Sequence, residues 1–394
     1  MTEASDTHLR VLSVTTSYPR RPGDFSGQFV HALNARIVDL GHEVTVLAPH
    51  AEGLAEEETW DGVRVVRFRY GPDALERVAY GDGIPSNVRK DPRALLGLPG
   101  FALSLRAAVR AYAGEADVVH VNWAPTAALA GGALAGSAVV LTLHGSDTTL
   151  GRRGGIWKAL LVAGLRRARR VVVVANDQAV FLRAARLTAQ PVVTIASGTD
   201  PALLERERPE YVEGAPFTFL FAGRLIPTKG PRDLLEAYGR LSRAHDTVRL
   251  TFVGAGSDEG ALRERAAAAG LSERVTFIGA IDHALALDAI AAADAFVLPS
   301  YGEGSPLTVT EALALGTPVV GTNVGAVPDL LGPDGLVVAP GDIDALTHAM
   351  GRLVDDEHLR HQLSREGRER VAARYTWPKV AEAYVRVYRE VAGG

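Results

Sequence analysis

Two glutamates in the second half of the chain are spaced so that a sugar could be bound at two points. Glu303 follows the apolar strand that opens AFVLPSYGEGSPLTVTEALALG, residues 295–316, and Glu311 lies further along, in the helix that this stretch predicts. Sugar hydroxyl groups donate well to carboxylate oxygens, so both side chains suit a hydroxylated ligand.

The same stretch predicts a helix whose first turn can bind an anion. Ser305 is a favourable N-cap, Pro306 suits the first helical position, and Gly316 marks the end. The unpaired N–H groups of a first turn and the helix dipole both favour negative charge. Together with the two carboxylates, this indicates a ligand that is hydroxylated at both ends and anionic in the middle, as a nucleotide sugar is.

Two cations are predicted on the ligand side of the same sheet. GRLIPTKG, residues 223–230, directly follows the apolar strand FTFLFAG, so Arg224 and Lys229 lie at the carboxyl end of a strand. There an arginine binds a diphosphate through a bidentate fork and a lysine binds it as a point charge. Either residue alone is as well explained as a solvated loop cation; the neighbouring glutamate element favours the binding interpretation.

Three further motifs carry weaker signals. HGSD, residues 144–147, ends an apolar strand, where His144 would contact sugar hydroxyls or serve as a structural histidine. Gly27 would let the backbone approach a phosphate, or would simply begin the helix that follows it. GAGSDEG, residues 254–260, approaches a dinucleotide fingerprint, but Glu259 stands where its third glycine belongs, so a tight turn is the better explanation.

The order of apolar strands and intervening helices predicts two α/β domains. Strands such as LRVLSVTT and HEVTVLAP are apolar throughout, which is typical of parallel strands buried on both faces. A turn-rich, charged segment near 200–214 separates them from six more strands with helices between most of them. We predict two doubly wound, Rossmann-like sheets facing a cleft, with domains over 1–200 and 201–375 and a final helix over 376–394.

Composition excludes several classes of protein. The net charge of −4 gives no bulk attraction to nucleic acid, and the absence of cysteine excludes disulfides and thiolate chemistry. The start MTEASDTHLR lacks the features of a signal peptide, and no apolar run is expected to reach the roughly 18 residues of a membrane span. We therefore expect a cytoplasmic protein.

The stretch 152–170 has basic ends around an apolar middle, so it is either a solvated basic surface or a peripheral contact with the inner face of a membrane.

Taken together, these motifs resemble the retaining glycosyltransferases of family 4, which have the GT-B fold. The family's two glutamates separated by seven residues match Glu303 and Glu311 in EGSPLTVTE. The likeness extends to Gly27, to His144 with the glycine after it, and to the long C-terminal helices, so it covers essentially the whole chain. The family's Gly-Arg…Lys-Gly element matches Gly223, Arg224, Lys229 and Gly230.

The resemblance implies a role for each matched residue. Arg224 and Lys229 would bind the donor diphosphate. Glu311 would bind the ribose hydroxyls, Glu303 would contact the donor sugar, and His144 would lie beside that sugar. Backbone amides near Leu307 and Gly27 would help to hold the phosphates or the sugar.

The resemblance also implies an architecture and a reaction. The N-terminal domain would bind the acceptor and the C-terminal domain the donor, with the last helix crossing back to the N-terminal domain. The sugar would be transferred with retention by front-face attack, without a metal or a cofactor. Two segments depart from the family pattern: GAVPD, with Ala326 and Asp329, and SGTD at 197–200.

The leading hypothesis is therefore transfer of a hexosyl-type sugar from a UDP- or GDP-linked donor to a hydroxyl acceptor, which would be a glycan, a lipid-linked acceptor or a small molecule. Two alternatives stay open. An NAD(P)-dependent sugar-nucleotide oxidoreductase would need an intact glycine fingerprint, and a non-catalytic nucleotide-sugar-binding protein would keep the same fold. Loops near 279–285 and 301–305 are expected to select the donor, and loops near 17–27 and 71–100 the acceptor.

Overall fold

The computed structural model describes residues 8–21, 23–24, 26–80, 84–209 and 214–393, so parts of the predicted acceptor loops, at 22, 25 and 81–83, lie outside the described residues. The strands within these ranges are β1 (Arg10–Val14), β2 (Glu43–Pro49), β3 (Glu57–Trp60), β4 (Val63–Phe68), β5 (Val118–Asn122), β6 (Val139–Leu143), β7 (Arg170–Val173), β8 (Val192–Thr194), β9 (Thr218–Ala222), β10 (Arg249–Val253), β11 (Val275–Gly279), β12 (Ala295–Leu298), β13 (Val319–Thr322) and β14 (Leu336–Val338). The helices are α1 (Gln28–Asp39), α2 (Ile84–Lys90), α3 (Leu98–Ala113), α4 (Ala124–Ala130), α5 (Ser146–Arg152), α6 (Gly155–Leu165), α7 (Asn176–Ala184), α8 (Pro231–Leu241), α9 (Glu259–Ala268), α10 (His283–Ala292), α11 (Leu307–Ala314), α12 (Val327–Leu331), α13 (Ile343–Asp355), α14 (Glu357–Arg370) and α15 (Trp377–Ala392).

The chain forms two compact units. The N-terminal unit comprises Met1–Val174, Gln178–Ile195 and Trp377–Gly394, and the C-terminal unit comprises Ala175–Asp177 and Ala196–Thr376. The chain therefore passes into the C-terminal unit slightly before position 200, and the final helix α15 lies in the N-terminal unit.

The N-terminal unit is built on an eight-stranded sheet in the order β3-β4-β2-β1-β5-β6-β7-β8. All pairs are parallel except β3 with β4. Successive strand residues, such as Val118 and Val119, enter different cores on the two faces of the sheet. One face packs on α3, α4 and α6, and the other on α1 and α15. Burial on both faces explains why these strands are apolar throughout.

The C-terminal unit has a six-stranded parallel sheet in the order β11-β10-β9-β12-β13-β14. Its strands match the six that the sequence predicts. In this order β9 lies at the centre, between β10 and β12, so the loops that follow β9 and β12 are adjacent at the carboxyl edge. The prediction of two parallel α/β domains is confirmed.

The segment 71–100, predicted to be an irregular loop, contains more helix than expected. It includes 3-10 turns at Asp73–Leu75 and Pro92–Gly97 as well as α2. The prediction that no apolar run is long enough for a membrane span is wrong by length and composition alone, because the helical stretch Pro92–Ala113 is long and apolar enough. Its Phe101, Leu105 and Val109 are fully buried against the sheet, whereas Leu96 and Leu103 are exposed.

Candidate active site

The loop after β9 is held in place by glycines of the neighbouring loop after β10. A Cβ atom at Gly254 would overlap the carbonyl of Gly223, and one at Gly256 would overlap the backbone of Leu225. The Leu225 N–H also donates to the Ala255 carbonyl at 3.0 Å. GAGSDEG therefore supports the loop that carries Arg224 by packing against it. This agrees with the interpretation of the motif as a tight turn. Its contact with the candidate site was not predicted from the sequence.

Lys229 and Glu303 meet across the ends of β9 and β12. Lys229 Nζ donates to both carboxylate oxygens of Glu303, at 2.7 and 2.9 Å. Ser300 Oγ donates to the same carboxylate at 2.6 Å. The Glu303 side chain is only 6% exposed and that of Lys229 is 23% exposed, so this is a largely buried, hydrogen-bonded ion pair. Gly230, with φ of 67°, packs directly against the Pro299 carbonyl and allows this approach.

The helix that carries Glu311 begins one residue later than the sequence predicts. α11 starts at Leu307 with Pro306 at the N-cap, and no side chain caps it. The Ser305 N-cap prediction is wrong because its hydroxyl accepts a hydrogen bond from the Ser197 N–H at 2.9 Å instead. The N–H groups of residues 309 and 310 donate to the Pro306 carbonyl. Among the described residues of this first turn, the N–H groups of residues 307 and 308 are therefore the ones that could bind an anion.

Glu311 lies on α11 within hydrogen-bond distance of a residue that no sequence motif identified. Its Oε1 lies 2.8 Å from His283 Nε2, at the first residue of α10. The Glu311 side chain is 8% exposed, whereas that of His283 is 51% exposed. The hydrogen bond to Glu311 raises the pKa of His283. The loop 279–285 is predicted to select the donor, but no sequence feature singles out this side chain.

Arg224 is exposed and is placed as predicted, in the loop directly after β9. A 3-10 turn, Pro227–Lys229, separates it from the ion pair. The Tyr301 N–H donates to the Thr228 carbonyl at 2.9 Å, which joins the loop after β9 to the loop that carries Glu303.

In the N-terminal unit, His144 follows β6 and is packed between aromatic rings. Its ring centroid lies 5.0 Å from that of Phe29 and 4.8 Å from that of Trp123. Its Nε2 lies 2.9 Å from Asn122 Oδ1, so the ring donates from Nε2 and keeps a lone pair on Nδ1. Burial lowers the pKa of His144 to about 3, and the ring is therefore neutral near pH 7.

Asp147 of the HGSD motif is structural. It is buried and accepts the backbone N–H groups of Ala124 and His144, at 2.7 and 2.9 Å. Burial raises its pKa to about 6. The carboxylate therefore fixes the backbone around His144 and is not presented to a sugar.

Gly27 has φ of 74° and precedes α1 directly. A Cβ atom here would overlap the backbone of Ser17 and Tyr18, so the position requires glycine for local packing. The loop it contacts is tied down by Tyr18, whose hydroxyl lies 2.6 Å from His31 Nδ1. These contacts explain the glycine as the start of a helix, and a phosphate contact at its amide stays a prediction.

The departures from the family pattern have local roles. The Ala326 N–H donates to the Gly304 carbonyl at 2.8 Å and so supports the loop that carries Glu303. Asp329 accepts hydrogen bonds from the Asn176 backbone and side chain, at 3.1 and 2.7 Å.

One group among the described residues has the donor atoms of a metal site. His50, Asp73 and Glu76 place one ligand atom each within 4.8 Å of the others. His50 Nδ1 and Glu76 Oε2 are already paired at 2.5 Å, and Arg69 pairs with Asp73. A guanidinium therefore already supplies the positive charge, and none of the three is a candidate site residue.

Two family models match adjoining parts of the chain. The model described as Glycosyltransferase Family 4 matches residues 26–203, and the one described as Glycosyl transferases group 1 matches residues 205–370. The range matched by the second model contains the loop after β9 as well as Glu303 and Glu311.

Several named proteins are similar over nearly the whole length. The GDP-mannose-dependent alpha-(1-6)-phosphatidylinositol monomannoside mannosyltransferase of Mycobacterium tuberculosis is 30% identical, covering 94% of this chain and 96% of its own. The glycogen synthase of the same organism is 28% identical, covering 96% and 94%. Among solved structures, sucrose-phosphate synthase from Thermosynechococcus elongatus shares the fold with a TM-score of 0.76 at 23% identity, covering 98% of this chain and 100% of its own.

Proposed function

The chain belongs to the family 4 glycosyltransferases, and from this premise we propose that it transfers a hexosyl-type sugar, with retention, from a UDP- or GDP-linked donor to a hydroxyl acceptor. The observation that carries the donor assignment is the buried Lys229–Glu303 pair beside the first turn of α11. It places a cation, a carboxylate and free amides at one edge of the sheet, as a diphosphate linked to a sugar requires.

In the proposed reaction, Arg224 and Lys229 bind the diphosphate, Glu311 binds the ribose and Glu303 the sugar. The bond from C1 of the sugar to the diphosphate breaks, and the acceptor oxygen bonds to C1 on the same face. The acceptor proton passes to the departing diphosphate, so no separate base is needed. Each charge-assisted contact contributes roughly 1.5–3 kcal/mol, so two cations whose contacts strengthen in the transition state would contribute roughly 3–6 kcal/mol of the roughly 8–23 kcal/mol by which enzymes commonly lower barriers.

His144, Gly27 and the amide of Leu307 are assigned supporting roles by the family resemblance, and these roles stay predictions. The same holds for acceptor binding by the N-terminal unit, for catalysis without a metal or cofactor and for a cytoplasmic location. Because the 30% identical relative is named as GDP-mannose-dependent, GDP-mannose is the first donor to test.

We also propose that the N-terminal unit contacts an anionic membrane. The stretch 152–170 is not one helix: α6 covers Gly155–Leu165 with exposed basic residues on both sides. Ile156 on α6 is 66% exposed, and Leu96 and Leu103, before and within α3, are 70% and 64% exposed. Since α3 and α6 pack on the same face of the sheet, their outer sides combine apolar and basic groups. The name of the same relative includes a phosphatidylinositol monomannoside, which supports a lipid-linked acceptor here.

The donor proposal is tested with purified protein and a panel of UDP-, GDP-, ADP- and TDP-sugars, in the presence of a chelator. Thermal shift reports binding, and release of nucleoside diphosphate reports turnover. We expect one nucleotide class to raise the Tm, with the shift lost in Arg224→Ala and Glu311→Ala and kept in Arg243→Ala, an exposed arginine elsewhere in the C-terminal unit. A panel that leaves the Tm unchanged, while NAD or NADP raises it, would contradict the donor assignment.

A further inference from the structure

His283 lies at the carboxyl edge of the C-terminal sheet, the edge at which the proposed function places the nucleotide. It is the first residue of α10 and follows the carboxyl end of β11 by a short turn. Its imidazole is half exposed, and the carboxylate that it contacts, Glu311, is almost fully buried. The histidine is therefore the accessible side of a pair whose other member is the candidate ribose ligand.

The hydrogen bond fixes which nitrogen carries a proton. An ionised carboxylate only accepts, so the 2.8 Å contact with Glu311 requires a proton on His283 Nε2. The remaining nitrogen, Nδ1, is then the one that gains or loses a proton. When it is protonated, the pair with Glu311 is neutral; when it is not, the pair carries a charge of −1.

We propose that His283 is a positioning residue of the donor site, which orients Glu311 toward the ribose hydroxyls of a nucleoside diphosphate sugar and, as a cation, cancels that carboxylate's charge beside the anionic diphosphate. This inference rests on the proposed function, since it presumes that Glu311 binds the ribose.

The surroundings of His283 favour coupling between its protonation and nucleotide binding. Glu311 is the titratable group that faces it from α11, and β9, which also packs on α10, carries none. On its own segment, Asp282 precedes it and Asp288 pairs with Arg206. An anionic diphosphate therefore binds better to the neutral pair, and its binding favours the protonated histidine. Because the hydrogen bond to Glu311 raises the pKa of His283, this coupling falls at a higher pH than it would for a free imidazole.

The test is calorimetric titration with GDP-mannose and with UDP-glucose, whose diphosphates have no group that titrates near neutral pH. Wild type, His283→Gln and His245→Gln are compared across pH, in buffers of different ionisation enthalpy. Glutamine keeps a hydrogen-bond donor but cannot be protonated. His245, which lies 3.9 Å from Asp355 in the same unit, is the matched control.

We expect wild type and His245→Gln to take up protons on binding, and their affinity to fall about threefold or more as pH rises through the pKa of His283, since a half-unit shift on binding is a factor of about three. In His283→Gln the proton uptake vanishes and the affinity is independent of pH. If wild type binds a nucleotide sugar and His283→Gln shows the same affinity and proton uptake, the inference is overturned while the proposed function stands. If wild type binds none at any pH, the proposed function itself fails.

Discussion

The contact between Lys229 and Glu303 occupies two residues of the proposed donor site before any donor binds. Lys229 Nζ is bonded to both oxygens of a carboxylate that is almost fully buried. A diphosphate that binds Lys229 has to share or replace Glu303. Under the proposed function, the carboxylate freed from the lysine then accepts sugar hydroxyls, so binding of the phosphates and binding of the sugar would be linked through one ion pair.

Glu303→Gln is predicted to separate binding from transfer. Loss of the carboxylate charge leaves Lys229 with a weaker partner, so UDP or GDP binds several-fold more tightly, because a hydrogen bond between charged groups contributes roughly 1.5–3 kcal/mol. Sugar transfer falls by about 100-fold or more, as when a group that stabilises the transition state is removed. Calorimetry and product formation measure the two effects, with Glu259→Gln, which disrupts an exposed pair with Arg263, as control. Parallel losses of binding and transfer would contradict the prediction.

Among the elements, the two loops after β9 and β10 act as one unit. Gly256 packs on the backbone of Leu225, so Gly256→Ala displaces the loop of Arg224. We expect nucleotide affinity to fall about tenfold or more, equivalent to about 1.4 kcal/mol. Gly260→Ala is the matched control from the same motif: nothing lies within 4 Å of its added Cβ, and alanine favours α9. Equal affinity in the two variants, measured by calorimetry, would show that the glycine loop does not position Arg224.

The last helix is attached to the N-terminal sheet through a buried polar network. His120 bonds to Tyr388 and to Thr142, each at 2.8 Å, and Thr142 lies 3.2 Å from the Tyr384 hydroxyl. Burial lowers the pKa of His120 to about 3, so the ring is neutral and one nitrogen donates while the other accepts. The folded state therefore resists protonation of this ring. The contribution of the neutral ring to the free energy of unfolding is complete above about pH 6.5 and is lost as the pH falls toward 3, because the unfolded chain then binds the proton more readily.

Tyr388→Phe is predicted to weaken the attachment of α15. It leaves His120 Nδ1 buried without a partner, at a cost of about 1–3 kcal/mol in the free energy of unfolding. Urea unfolding at neutral pH measures the change, with Tyr112→Phe, a half-buried tyrosine of the same unit, as control. A loss no greater than that of the control would mean that packing alone holds the helix.

At the scale of the whole molecule, the two parallel sheets were predictable because burial on both faces makes their strands apolar throughout. The end of α11 was also predictable, because Gly316 follows the last turn of the helix in the structure as it does in the sequence. For the ion pair, the sequence predicted only that Lys229 and Glu303 lie in loops on the ligand side of the same sheet. Their contact was not predictable, because it depends on the order of β9 and β12 in that sheet. His283 and the support from Gly254 were not predictable, because each depends on a partner that is distant in sequence. Ser305 misled because its hydroxyl has a tertiary partner, Ser197, which local capping rules ignore.

The membrane proposal concerns the outer face of the N-terminal unit and makes a prediction about lipid charge. The exposed cations Arg153, Lys158, Arg166 and Arg167 flank Ile156 on and beside α6. Basic residues near an anionic surface contribute about 1 kcal/mol each, and this attraction is screened by salt. The protein is therefore expected to sediment with phosphatidylglycerol vesicles, to bind phosphatidylcholine vesicles weakly, and to be released by salt.

Two variants separate the charged and apolar parts of this surface. Arg166→Glu with Arg167→Glu should abolish sedimentation with anionic vesicles. Leu96→Ser with Leu103→Ser should leave a salt-sensitive association but remove whatever resists salt, because apolar insertion is not screened. Arg243→Ala, on the C-terminal unit, serves as the control for general loss of charge. Since none of these residues belongs to the donor site, nucleotide-induced thermal shifts should persist in all three variants, and equal binding to neutral and anionic vesicles would contradict the proposal.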